Sequence, residues 1–182
     1  TKAIMPVHVY GQAAHIDEIN KIAKNNNLYI VEDCAEALGG TYKKRLIGRD
    51  GDATCFSFFA NKLITTGEGG MIVFKDKKIA EKAKIMRDHG MSRQKRYWHE
   101  FAGVNFRMTN MQAAIGVAQL KRINDFLLKR KNIFKRYDKN FKSNNQLLLL
   151  PNNSWSENSY WLYTLVVNEF TEQKRDKLLN NL

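Results

Sequence analysis

The sequence predicts an α/β protein: a mostly parallel sheet flanked by helices, followed by the start of a smaller C-terminal α/β domain. Three observations predict it. In the first part of the chain, short apolar runs of strand length alternate with stretches of helical periodicity. Those apolar runs are close to continuous, as strands covered on both faces are. Beyond Thr109 the alternation gives way to one long helical stretch and then to Asn/Ser-rich punctuation, which marks a different unit. The expected division is 1–108 for the sheet domain, 109–138 for a long connecting helix, and 139–182 for the smaller domain.

Each element has its own signal. Ile4 to Val9 reads as a short buried strand that stops at Gly11. Ile16, Ile19, Ile22 and Ala23 recur at helical spacing, and Asp17 and Glu18 favour the helix start through the N-terminal end of its dipole. Leu28 to Val31 is a second apolar run, ending at Glu32-Asp33. Ala53 to Phe59 is a third and Gly70 to Phe74 a fourth, with an amphipathic helix over Ile79 to Met86. The long helix runs from Thr109 to about Tyr137 with Met111, Ala114, Ile115, Ala118, Ile123, Phe126 and Leu127 on its apolar positions, and Thr109 or Asn110 is placed to cap it. After it come Leu147 to Leu150, a strand over Tyr160 to Val167, and a helix over Glu172 to Leu182.

Composition bounds the function classes. A chain of 182 residues, 43% hydrophobic and 26% charged, suits one domain plus part of another. No apolar run reaches the roughly 20 residues that cross a bilayer, and no membrane partner is expected. The start Thr1-Lys2-Ala3-Ile4-Met5 has no signal-peptide pattern and no initiator Met, so the chain is expected to begin inside a larger protein. Cys34 and Cys55 lie in apolar surroundings without metal-type spacing, which points to buried thiols in a reducing cytoplasm and to no metal site. The net charge of +12 is spread over helices and turns, with no recognition motif and no aromatic-basic interleaving. It reads as a solvated basic surface rather than a nucleic-acid site, with attraction of a phosphorylated substrate as the second reading.

Three chemistry-bearing residues fall at carboxyl ends of strands, where open α/β sheets gather ligands. Asp33 ends the Tyr29-Ile30-Val31 strand, Ser57 ends Ala53-Thr54-Cys55-Phe56, and Lys62 follows in the turn Phe59-Ala60-Asn61-Lys62. Thr65-Thr66-Gly67-Glu68-Gly69-Gly70 comes next, a stretch that lets backbone pass close to a bound group. Singly, each has an ordinary reading: a turn-forming Asp, a structural Ser, a solvated Lys, and glycines that match neither the P-loop nor the dinucleotide fingerprint.

In order, they resemble one family. Glu32-Asp33-Cys34-Ala35-Glu36-Ala37, then Gly51 to Lys62, then Thr65-Thr66-Gly67-Glu68-Gly69-Gly70-Met71 look like the core of the DegT/DnrJ/EryC1/StrS aminotransferases. The likeness extends through His8-Val9-Tyr10-Gly11, Arg87-Asp88-His89-Gly90, Gly103 to Met108 and Gln112-Ala113-Ala114-Ile115-Gly116. These are fold-type-I enzymes that use pyridoxal 5'-phosphate (PLP) on nucleotide sugars. The resemblance implies that Lys62 carries the cofactor and moves the reacting proton, which requires a free neutral amine. It sets Asp33 against the pyridine nitrogen, whose protonation makes the ring an electron sink, and Ser57 on the cofactor phosphate. Glu36 stands where many relatives carry Gln, near the ring hydroxyl, so its carboxylate must be satisfied. Asn105, in Gly103-Val104-Asn105-Phe106-Arg107, implies a homodimer with shared sites, because the family's Asn reaches the partner's phosphate.

Relatives with His in place of the lysine are dehydratases, and Lys62 argues against that branch. Phe59 to Gly67, Tyr97-Trp98-His99 and Asn105 to Asn110 look most like the branch that aminates a GDP-linked 4-keto-6-deoxy sugar with L-glutamate, giving a perosamine-type product. Tyr97 and His99 are candidates to approach the sugar, or else a packed aromatic and a surface His. The alternatives are a UDP- or dTDP-linked keto sugar, a PLP fold kept without turnover, and a basic nucleic-acid module. The family's chains also carry a long N-terminal part with a phosphate-contacting turn and an aromatic group stacked on the cofactor, so this chain is expected to be an internal fragment.

Overall fold

The structure is a computed structural model and describes residues 1–151, 153–168 and 171–181. Its main sheet has four strands: β1 (Ala3–Ile4), β2 (Tyr29–Asp33), β5 (Ala53–Ser57) and β6 (Gly70–Phe74), in that spatial order. β1, β2 and β5 run parallel, and β6 closes the edge antiparallel, Ser57 facing Gly70. α1 (Ile16–Asn25) packs on β1 and β2, and α2 (Lys77–Arg87) on β6. Asp76 caps α2, its carboxylate accepting the Lys78 and Ile79 amides. A hairpin of β3 (Thr41–Tyr42) and β4 (Arg45–Leu46) stands beside this sheet. The core gathers Ala13, Ile16, Cys34, Ala37, Tyr42 and Ile47 between α1, the end of β2 and that hairpin.

Two expected elements come out differently. The strand expected over Ile4 to Val9 pairs only at Ala3–Ile4, because Pro6 has no amide to give the ladder. The chain rejoins β2 at Val7, opposite Asp33, then turns through Val9–Gly11 with Tyr10 and Gly11 both at positive φ. The single long helix expected from Thr109 is two helices, α3 (Asn110–Leu120) and α4 (Ile123–Phe141). Its apolar stripe steps by five residues from Ala118 to Ile123, and the bend at Lys121-Arg122 absorbs that slip. Thr109 does cap the start, in a reciprocal box with Gln112.

The C-terminal stretch does not stay apart from the sheet domain. β7 (Leu147–Leu149) and β9 (Leu165–Val167) pair antiparallel, and β7 packs on α4. But β8 (Ser156–Glu157) crosses back to pair with β3. Ser156 Oγ accepts the Ala13 amide at 3.2 Å, the Ser159 hydroxyl donates to the Glu36 carbonyl at 2.8 Å, and the Ser159 amide donates to the Gly11 carbonyl. The strand expected from Tyr160 begins only at Leu165, since Tyr160 sits at φ 58 with its ring edge-on to Phe134 of α4. α5 (Glu172–Asn181) follows expectation, with Leu182 outside the described residues.

Gly11 makes that crossing possible. A β-carbon there would overlap Asn158 Oδ1 and Ser159 Oγ, and φ +85 disfavours any side chain. Gly11→Ala is expected to cost about 2 kcal/mol, by the scale of strained and overpacked sites, and to detach residues 156–161. Denaturant unfolding, with proteolysis between Asn153 and Trp161, checks both effects.

α3 is apolar but none of its residues is buried, with Met111 78% exposed. Neighbouring Phe106 is 77% exposed, so a broad apolar face stands bare. Among the described residues no helix is long and apolar enough to cross a membrane.

Candidate active site

The β2–β5 register brings the first two candidates together. Asp33 pairs with Cys55, and Ser57 lies two residues further along β5 on the same face. Both therefore stand at the carboxyl edge of the parallel strands, separated along the strand by about 7 Å. Asp33 Oδ1 accepts the Ala35 amide at 2.9 Å. Ser57 Oγ accepts the Phe59 amide at 3.3 Å, which leaves the hydroxyl hydrogen free.

Lys62 sits in the turn after β5. Its amide donates to the Phe59 carbonyl, and the end of the turn is clamped by Phe58, whose carbonyl accepts the Thr66 amide. Gln119 of α3 holds the same loop at both the amide and the carbonyl of Thr65. The Lys62 ammonium lies 3.7 Å from the centroid of the Trp161 ring. Trp161 is buried, and its indole N–H donates to the Asn61 carbonyl at 3.0 Å. Its ring stacks beside Tyr10, whose amide donates to a Glu36 carboxylate oxygen at 2.6 Å. Lys62, Trp161, Tyr10 and Glu36 thus form one continuous row, and the Glu36 carboxylate is satisfied by backbone. Among the described residues no carboxylate lies within 4.0 Å of the Lys62 amine.

Asn105 is not part of this row. It is exposed and bridges Asp88 at the base of a separate hairpin. His99 is in that hairpin too, its ring bonded to the His89 carbonyl.

Beneath the strand edge lies a buried polar network. His8 and Glu32 are each 1% exposed and 3.0 Å apart. The Ala14 amide donates to His8 Nδ1, so the proton sits on Nε2 and is donated to Glu32 Oε2. Glu32 Oε1 accepts the amides of Asp50 and Gly51. Burial alone would raise the Glu32 pKa, but the hydrogen bonds from His8 and from the Gly51 and Asp50 amides outweigh it and hold the carboxyl below its ordinary range. Cys34 lies within 4.8 Å of both groups, but burial first, then the Glu32 and Asp33 carboxylates, pushes its thiol far up. His8 and Glu32 form a hydrogen-bonded brace, with the Cys34 thiol beside it. Burial and Asp33 push the Cys55 thiol up as well.

The aminotransferase family named for DegT, DnrJ, EryC1 and StrS matches the chain over residues 1–182. The chain belongs to the DegT/DnrJ/EryC1/StrS aminotransferase family. GDP-perosamine synthase of Caulobacter vibrioides is 42% identical, over 100% of this chain and 49% of that protein. The UDP-4-amino-4,6-dideoxy-N-acetyl-beta-L-altrosamine transaminase of Campylobacter jejuni strain 81-176 is 35% identical, over 96% of this chain and 47% of that protein. Among solved structures, Helicobacter pylori PseC, an aminotransferase involved in the biosynthesis of pseudoaminic acid, superposes with a TM-score of 0.93 at 32% identity, covering 100% of this chain and 49% of that one. The chain spans about half the length of the curated relatives it matches, and its fold is that of the fold-type-I PLP aminotransferases.

Within this DegT/DnrJ/EryC1/StrS chain, sequence reasoning missed Trp161 and the His8–Glu32 brace. His8 and Glu32 stand inside the motifs that carry the resemblance, so their positions were visible but not their contact. Trp161 lay inside the strand expected over Tyr160 to Val167, with nothing local to signal its contact with Lys62.

Proposed function

We propose that the protein containing this chain is a PLP-dependent aminotransferase that moves the amino group of L-glutamate onto the 4-keto carbon of a GDP-linked 4-keto-6-deoxy sugar, giving a perosamine-type 4-amino sugar. One observation carries the reading: an amine without a carboxylate partner, a free hydroxyl hydrogen and an acidic side chain stand around the carboxyl edge of β2 and β5. Those groups fit PLP, whose aldehyde, phosphate and pyridine nitrogen call for an amine, a donor and an anion. Bound PLP supplies the electron sink that makes the substrate carbon acidic. Lys62 holds the cofactor and then carries the proton to and from that carbon. Asp33 keeps the ring nitrogen protonated by its negative charge. Ser57 donates to the phosphate. Glu36, engaged with the Tyr10 amide, holds Tyr10 against Trp161 beside the ring hydroxyl's place. Asn105 donates to the phosphate in a second copy's site, so the active form is a homodimer with shared sites. Two free thiols on adjoining segments fit a cytoplasmic setting.

The likeness to the Campylobacter transaminase supports a second reading, a UDP-linked keto sugar. Amine transfer from L-glutamate to GDP- and UDP-linked 4-keto-6-deoxy sugars separates the two. The GDP substrate is expected to lead in kcat/KM by on the order of tenfold or more, about 1.4 kcal/mol of differential binding. A UDP preference overturns the nucleotide assignment, and no transfer to any 4-keto sugar overturns the sugar reading.

A further inference from the structure

Trp161 lies outside every motif that carries the family resemblance, and the transamination chemistry leaves it without a task. Its ring is nonetheless built into the Lys62 turn. The side chain is 8% exposed, and three contacts fix it. The indole N–H donates to the Asn61 carbonyl at 3.0 Å. The ring stacks beside Tyr10, with centroids 6.1 Å apart and planes 21° apart. Arg130 of α4 donates to the Trp161 carbonyl at 3.2 Å. The Asn61 bond ties the ring to the backbone just before Lys62, so the ring and the root of the lysine side chain move as one piece.

The Lys62 amine is 3.7 Å from the ring centroid, while the other six cation–ring contacts among the described residues span 4.5 to 5.7 Å. Tryptophan is the strongest of the aromatic partners, and the contact strengthens where water is excluded, as it is around this buried ring. No carboxylate among the described residues stands within 4.0 Å of the amine to compete for it. A ring face orders an ammonium group without the full opposite charge that would pin it. Water alone would leave the long lysine stem free among its rotamers.

We propose that Trp161 is a positioning residue that seats the Lys62 amine whenever the lysine is not bonded to the cofactor, and so favours the enzyme form in which the cofactor carries the amino group. The proposal rests on the reading of Lys62 as the cofactor lysine. In transamination that lysine lets go when the donor hands over its amine, and rebinds when the acceptor has taken it. A contact made only by the released amine shifts the balance toward the released form by the free energy of that contact. A tryptophan that only filled space would be indifferent to the charge on its ring face.

The test replaces Trp161 in the full-length protein with tryptophans bearing one, two and three ring fluorines. These keep the N–H and nearly the size but drain the negative face. Two equilibria follow the free amine: bleaching of the cofactor absorbance by L-glutamate against 2-oxoglutarate, and dissociation of PLP measured by equilibrium dialysis. Each added fluorine is expected to move the first toward the unbleached form and to tighten PLP, by on the order of tenfold across the series, with unfolding midpoints unchanged. Trp161→Leu shifts both in the same direction. Equilibria that stay constant along the fluorinated series overturn the proposal, as does a shift toward the bleached form. Wild-type holoenzyme that borohydride labels at a residue other than Lys62 overturns the cofactor-lysine reading itself, which keeps the two failures distinct.

Discussion

Lys62→Ala protein is expected to yield no borohydride-fixed pyridoxyl label and to lose amine transfer by on the order of 10⁴-fold, the upper range for removing a positioned proton carrier. The loss should be chemical rather than structural. Lys62 contributes a cation–π contact with Trp161, worth about 1 kcal/mol at a partly open site, so the unfolding midpoint should move little. Lys62→Arg separates charge from chemistry. An arginine keeps a cation over the Trp161 ring but cannot give up its proton. It should fold as wild type and transfer no amine. Peptide mapping after reduction locates the label. Equal labelling of Lys62→Ala would remove this lysine from the assignment.

The second large effect is on stability. Glu32→Ala leaves three buried donors unpaired: His8 Nε2–H and the amides of Asp50 and Gly51. At about 1–3 kcal/mol for each orphaned group, with some relaxation, a total of about 3–5 kcal/mol is expected, a large part of the stability of a small domain. Glu32→Gln is the sharper variant. Its oxygen can still take the two amides, but its NH2 then faces His8 Nε2. His8 cannot accept there, because its other nitrogen already accepts the Ala14 amide and Nε2 must carry the ring proton. The hydrogen-bond chain runs in one direction only, and Gln reverses one link. Acid should reproduce the damage. Because the folded Glu32 pKa is lowered from 4.5, its contribution is complete above about pH 4.5 and is lost as pH falls through the folded value. Urea unfolding between pH 7 and pH 3 should show this fall in wild type and a flatter profile in Glu32→Gln. Identical profiles would remove Glu32 from the account.

Elements whose information is local were legible in the sequence. β6 lies over Gly70 to Phe74 as expected, and β2 and β5 differ from expectation only at their ends. Asp33, Ser57 and Lys62 were singled out by the order of the motifs that carry the resemblance, and parallel pairing brings Asp33 and Ser57 to one edge. The unread features are non-local or small. Ser156–Glu157 is a two-residue polar strand with no periodicity, and its partner Thr41–Tyr42 is far away in the chain. The row from Lys62 through Trp161 to Tyr10 joins three distant segments by single side chains. The break between α3 and α4 was visible as a step in the apolar stripe, but a step alone does not say whether a helix bends or ends.

The return of residues 156–161 to β3 also sets an order of events during synthesis. Ser156 and Ala13 are joined across 143 residues, and Ser159 and Glu36 across 123. Contacts so far apart close late, after the loop entropy between them has been overcome. On the ribosome the four-stranded sheet can assemble while Trp161 is still to be translated. Until that indole arrives, Lys62 has no seat and Glu36 and Tyr10 have no backing wall. The sheet can therefore form before the row beside Lys62 is complete, and burial of the Trp161 indole would report the closing of that row rather than the folding of the sheet.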